Sequence, residues 1–356
     1  MNQIKLASAL VATLLLGGIA LPAQAQEEIK LTVASGLPAA SGGTKQLAEF
    51  FGPEIDRRLA ETGNYKIVWT TAWGGSIAGQ QDMLEAVQDQ IVDIGYVNTV
   101  FEGSKLPLAQ INFVTPFGSN DLVKVLSIYD QLRSEIPQID EAFLQNGQRL
   151  LATTGIRDFH LLSTFPINKV SDLKGRKIGA PGLSATWLDG TGAVAVSGSL
   201  SQYYNSLKTG VYDGILTFES AIAPFKFYEV APIITKVGFG SLLSSAVTIN
   251  EARWQSLPEE VQDAILDVSH EYQELVGEKV TAASQKSLDT AAAKGAEINV
   301  LAPEEVQKLV HSMPNLALNW AKNIDAKGLP GTGIINAYMK LSREAGITFV
   351  RDWDKE

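Results

Sequence analysis

The chain has 356 residues, 45% of them hydrophobic and 19% charged, a net charge of −10 and no cysteine. That length and balance describe a folded globular protein large enough for two packed lobes, and they exclude a disordered chain. The missing cysteines exclude disulfides, thiolate metal sites and a cysteine nucleophile. With no block of lysine and arginine, an acidic chain lacks the electrostatic footprint of a nucleic-acid binder.

The N-terminus reads as an export signal. Lys5 is followed by an uncharged apolar run from Leu6 to Leu21, and Pro22 precedes Ala23-Gln24-Ala25, a small-x-small cleavage site. The run contains Gly17-Gly18 and falls short of the ~20 apolar residues a spanning helix needs. We therefore expect residues 1–25 to be removed, leaving an exported, periplasmic protein that begins near Gln26.

Beyond it, Ile29 to Val33 alternates as a strand, Lys45 to Leu59 has a helical pattern, and Tyr65 to Thr71 reads as a second strand. A helix over Gln81–Gln90 and a strand over Ile91–Val97 follow. The pattern resumes with strands near Arg149–Ile156 and Lys177–Ala180, a helix around Gln202–Thr209 and a strand at Gly214–Phe218. Strands alternating with helices predict a parallel α/β architecture. No Pro/Gly/Ser-rich linker separates the halves, so the chain is expected to cross between lobes several times.

Ser256-Leu257-Pro258-Glu259 predicts a capping box, and an apolar stripe then runs through Val261, Ile265, Val268, Tyr272, Leu275, Val276 and Val280. Nothing but Gly277 weakens it before Lys294-Gly295. At 1.5 Å per residue such a helix is roughly 50 Å long, enough to brace both lobes.

Catalytic signatures are missing. His270 and His311 have no ligand partner one helical turn away, there is no Gly-x-Ser-x-Gly elbow and no phosphate loop, and Gly190-Thr191-Gly192 lacks the third glycine of a dinucleotide fingerprint. No cofactor and no metal are expected.

Six stretches carry a resemblance. Asp172-Leu173-Lys174-Gly175-Arg176-Lys177-Ile178, followed by Gly179-Ala180-Pro181, is similar to an element of the substrate-binding subunits of TRAP transporters. Leu207-Lys208-Thr209-Gly210-Val211-Tyr212-Asp213-Gly214 resembles that family's next element. Phe227 to Ala231 and Trp254 to Pro258 fit two later landmarks in order, while Gly79–Asp93 and Val114–Phe117 look like its first-lobe unit and cleft loop. The resemblance implies a two-lobed α/β periplasmic-binding-protein fold with a long bracing helix, and no enzymatic activity. It implies a signal over 1–25, a first lobe from 27–151 with about 242–280, and a second from 152–241 with about 281–356. It further implies capture of a small-molecule solute by hinge closure and transient docking on TRAP membrane subunits. We expect a monomer.

The departures bear on the ligand. Where the family's carboxylate binders carry an arginine after Lys-Ile, this chain has Gly179, and Thr217 stands where an asparagine is usual. Arg157 is a substitute clamp, or else it pairs with a neighbouring carboxylate. Loops at the C-terminal ends of strands face the cleft in such sheets, which adds Leu37, Trp73, Tyr96, Asn98, Phe159, His160, Trp187 and Phe218 as ligand contacts. The solute is an organic acid, or, given Gly179, an amine or amino alcohol held by aromatic walls with Asp158 or Glu219. Two alternatives stay open: a secreted enzyme with an unrecognised carboxylate site, and a solute sensor docking on a receptor.

Overall fold

In the computed structural model, residues 26–355 are described; the expected signal segment lies outside them. The strands of the first half are β1 (Glu27–Ser35), β2 (Tyr65–Ala72), β3 (Ile94–Val97) and β4 (Gln148–Ile156). Then come β5 (Phe159–Ser163), β6 (Lys177–Ala180), β7 (Val194–Ser197), β8 (Gly214–Phe218), β9 (Ile233–Lys236), β10 (Leu242–Asn250) and β11 (Glu297–Val300).

They form two sheets, one in the order β2-β1-β3-β10-β4 and the other β11-β9-β5-β8-β6-β7. Each is the centre of one lobe. The sheets are mixed, which corrects the parallel expectation: β10 runs antiparallel to both β3 and β4, and β5 antiparallel to both β8 and β9. These are the strands that enter a sheet directly from the other lobe, so no crossover helix turns them parallel. All nine residues of β10 are buried, so it carries no alternation that would mark it as a strand. The helix expected over Lys45–Leu59 is also irregular, with Gly42–Gln46 and Gly52–Thr62 joined by a π-turn at Leu47–Phe51.

The chain passes between the sheets three times: from β4 to β5, from β9 back to β10, and along the helix Glu259–Ala293. This helix packs on β4 and Leu122–Glu135 in the first lobe and on Glu219–Ile222 in the second. It is the expected brace. Tyr272 donates its hydroxyl to Gly43 O at 2.9 Å on one side, and Ser287 Oγ accepts from Ala223 N at 2.9 Å on the other. Gly277 has a packing reason, since a Cβ there would lie 3.0 Å from Val123 Cγ2 on the neighbouring helix. The expected capping box is absent. Pro258 is the N-cap, and Ser256 Oγ instead donates to Arg253 O at 2.7 Å, closing the preceding turn Glu251–Gln255.

One contiguous core runs through both lobes and the brace, including Leu31, Ile94, Leu161, Ile178, Val268 and Tyr272. The last helices, Leu316–Asp325 and Gly331–Glu344, pack on each other and on the Ile111–Val114 and Leu122–Glu135 helices of the first lobe. Trp353 fixes that end by donating Nε1–H to Pro116 O at 2.8 Å. Among the described residues, no helix is long and apolar enough to cross a membrane.

Candidate functional site

Between the sheets lies a cavity of about 340 Å³. The first lobe contributes Leu37 beyond β1, Tyr96 and Asn98 at the end of β3, Ile156 of β4, and Ser244 and Ser245 of β10. The second lobe contributes Phe159 of β5, Leu216, Thr217 and Phe218 of β8, and Leu200 and Tyr203 from the helix after β7. Val280 and Ala283 of the brace close one side. Strand ends from both sheets thus converge on one space, where open sheets present their ligands.

Hydrogen bonds fix the polar part of the wall. Tyr96 Oη and Thr154 Oγ1 are 2.9 Å apart, and Asn98 Nδ2 donates to Ser245 Oγ at 2.9 Å. Burial pushes the Tyr96 hydroxyl up, so it stays neutral. Asn98 Oδ1 and Thr217 Oγ1 are buried and have no hydrogen-bond partner. Phe101, Phe113 and Phe225 add aromatic faces beside those named, among small residues and the polar Gln46, Gln80 and Ser199.

Of the residues expected at the ligand, the cavity brings together Leu37, Tyr96, Asn98, Phe159, Thr217 and Phe218. Trp73, Arg157, His160, Gly179 and Trp187 do not line it, each for a distinct reason. Trp73 is half-buried against the first-lobe core, on a loop whose Gly74 N bonds Leu37 O at 2.9 Å. Trp187 is fully buried, donates Nε1–H to Phe113 O at 2.7 Å and stacks on Phe239 at 4.7 Å, so it supports the wall from behind. Gly179 points at the edge-to-face pair Tyr203 and Tyr212, whose ring carbons would lie 2.9–3.1 Å from an added Cβ. Those rings fill the space that a side chain at 179 would enter.

Arg157 and His160 belong to a charge cluster off the wall. His160 Nε2 lies 3.1 Å from Glu219 Oε1 and 4.0 Å from Asp158 Oδ2, Lys236 Nζ 3.4 Å from Glu219, and Arg157 Nε 3.9 Å from Glu219. Burial pushes the Glu219 carboxyl up, but the His160 hydrogen bond and the Lys236 and Arg157 charges more than offset it, leaving it below the usual range. Asp158 is pushed up by burial. Ligand atoms of Asp158, His160 and Glu219 are close enough to hold a metal ion. Two carboxylates already balanced by Lys236 and Arg157 leave little net charge for a dication, so the donor set fits an internal salt-bridge network better. Neither carboxylate lines the cavity.

Sequence reasoning missed Tyr203, Phe101, Phe113 and Phe225. Tyr203 looks like an ordinary apolar helix position, and only the fold aims it at the cleft.

Residues 55–323 match the family described as bacterial extracellular solute-binding protein, family 7. The chain belongs to this family. The ectoine-binding periplasmic protein TeaA of Halomonas elongata is 24% identical over 273 residues, 74% of this chain and 77% of that protein. The solved structure of the periplasmic ectoine-binding protein from the TeaABC TRAP-transporter of H. elongata superposes with a TM-score of 0.76 at 20% identity, covering 89% of this chain and 100% of that one. A TRAP solute-binding protein from a marine metagenome, specific for aromatic acid ligands and crystallised with 3-hydroxybenzoate, gives 0.77 at 20% identity, covering 89% and 98%. As in the rest of its family, the chain is a binding protein and not an enzyme, and TRAP transport in the periplasm is its setting.

Proposed function

We propose that this chain is the receptor of a TRAP-type transporter that encloses one small organic solute between its lobes and delivers it to the membrane subunits. The observation that carries this reading is the cavity walled by β3 and β10 of one lobe, β8 of the other and the brace between them. A site built across a hinge couples binding to closure, because only the closed arrangement completes all the contacts.

Tyr96, Asn98, Phe159, Thr217 and Phe218 are read as ligand contacts, with Leu37 at the edge. The first lobe is taken to comprise 27–156, β10, and the C-terminal helices that pack on Ile111–Val114 and Leu122–Glu135. The exported protein is read as a monomer cleaved after Ala25.

A thermal-shift screen of acids, sulfonates, amines, amides and polyols tests the reading. A solute at 100 times its Kd stabilises the folded state by ~2.7 kcal/mol. At least one member should raise the Tm and be recovered unchanged after incubation. Chemical turnover of the hit, or no stabilisation by any solute, would contradict the receptor reading.

A further inference from the structure

The same cavity, read as the solute site just proposed, also constrains the charge of what enters it. We propose that the solute is uncharged and ring-bearing, seated among aromatic walls and hydrogen-bonded along one edge by Asn98 and Thr217. Among the described residues lining the cavity, none is arginine, histidine, aspartate or glutamate. The only ionisable cations on the wall, Lys45 and Lys279, are both exposed, and Lys45 Nζ lies 3.8 Å from Glu49.

An anion would meet only the exposed ammonium groups of Lys45 and Lys279, screened by water, and no buried guanidinium. Arg157, the nearest candidate in sequence, does not line the cavity, its Nε lying 3.9 Å from the buried Glu219, and Gly179 is closed off by Tyr203 and Tyr212. A buried charge without a partner is strongly disfavoured. A cation would find ring faces but no carboxylate, and the only charges on the wall would repel it. Neither Asp158 nor Glu219 lines the cavity: Asp158 Oδ1 accepts from Gly240 N, and Glu219 Oε1 is paired with His160 and Lys236.

What the wall does offer is hydrogen bonding between neutral groups. Asn98 Nδ2 donates one proton to Ser245 Oγ, which leaves the carbonyl Oδ1 and the second amide N–H for the solute, so Asn98 can accept or donate. Thr217 Oγ1 donates or accepts. A primary amide, a lactam or a phenol on a ring supplies both needs, while the ring buries its faces against Phe159, Phe218 and Tyr203. The volume lies near the small end of the ~300–1,000 Å³ typical of ligand sites, which fits a single ring with a short substituent.

The test titrates the full exported chain with matched trios: benzamide, benzoate and benzylamine; then cyclohexanecarboxamide, its acid and cyclohexylmethylamine. The neutral member of each trio should bind at least about tenfold tighter than its charged partners. Asn98→Ala, with its fold checked by circular dichroism, should weaken that binding about tenfold, and Thr217→Val by a smaller factor. Tightest binding by the acid or the amine overturns the neutral assignment while leaving the receptor reading intact. So does stabilisation only by open-chain solutes, or an Asn98→Ala variant that binds the amide unchanged. If no solute of this or the wider screen binds, both readings fall together.

Discussion

Asp158 Oδ1 accepts a hydrogen bond at 2.9 Å from the backbone N–H of Gly240, tying together two of the passages between the lobes. Asp158 sits between β4 and β5, and Gly240 between β9 and β10. Phe239 N, next to Gly240, also points to Phe159 O at 3.4 Å, and Phe117 N donates to Phe239 O at 2.7 Å. These bonds join the two passages to each other, and the brace helix is a separate connection.

Asp158→Ala removes that acceptor and leaves the buried Gly240 N–H unpaired, which costs ~1–3 kcal/mol. Asp158→Asn keeps an oxygen in place and removes a charge that burial disfavours, so it should lose less than half as much. Urea unfolding of the three proteins measures the difference. Equal losses for both variants would mean that the hydrogen bond is not what the carboxylate supplies.

Much of the scaffold is legible in the sequence because it follows simple periods. The stripe from Val261 to Val280 locates the brace, and Lys177–Ala180 and Gly214–Phe218 have the bounds read from alternation and turn residues. Strands β5, β9 and β10 are not legible in this way, because they are buried on both faces or cross directly from lobe to lobe. At the site, the rule that strand ends face the cleft names Tyr96, Asn98, Phe159, Thr217 and Phe218, which line the cavity. It also names His160 and Trp187, which do not line it, because exit from a strand does not reveal which way a side chain turns. Gly179 shows a further limit: the consequence of losing its side chain depends on Tyr203 and Tyr212, over twenty positions downstream.

Position 179 gives a direct packing test. Gly179→Ala places a methyl group 2.9 Å from the Tyr212 ring and 3.1 Å from Tyr203, and overpacking of that kind costs ~1–3 kcal/mol. Thermal unfolding should register the loss. Truncating Tyr212 to leucine in the same chain should recover part of it, because the ring that clashes is then gone. A Gly179→Ala protein as stable as the parent would show that position 179 has free space, reopening it as a clamp site.

Glu102 predicts a pH dependence. Burial, reinforced by the neighbouring Glu85, pushes its carboxyl up to about 7, against partial relief from Lys105. Its folded pKa is raised, so the folded state binds the extra proton. The associated stability is full below the ordinary carboxylate range near pH 4 and is lost as the pH rises through about 7. Glu102→Gln mimics the protonated form and should gain ~1–3 kcal/mol over the parent at about pH 8, shrinking to little at about pH 4. Chemical denaturation at several pH values checks this, and a gain that grows towards acid would reverse the assignment.

The most direct test of solute capture between the lobes is calorimetric titration of the tightest hit into the parent protein and into Ser220→Trp. Ser220 is a half-buried wall residue, and an indole there projects into the cavity without replacing a core side chain. The account predicts one solute bound per chain in the parent and binding weakened roughly 100-fold in the variant, whose Tm without solute stays near that of the parent. Undiminished affinity in a folded Ser220→Trp protein would place the solute elsewhere and contradict the account.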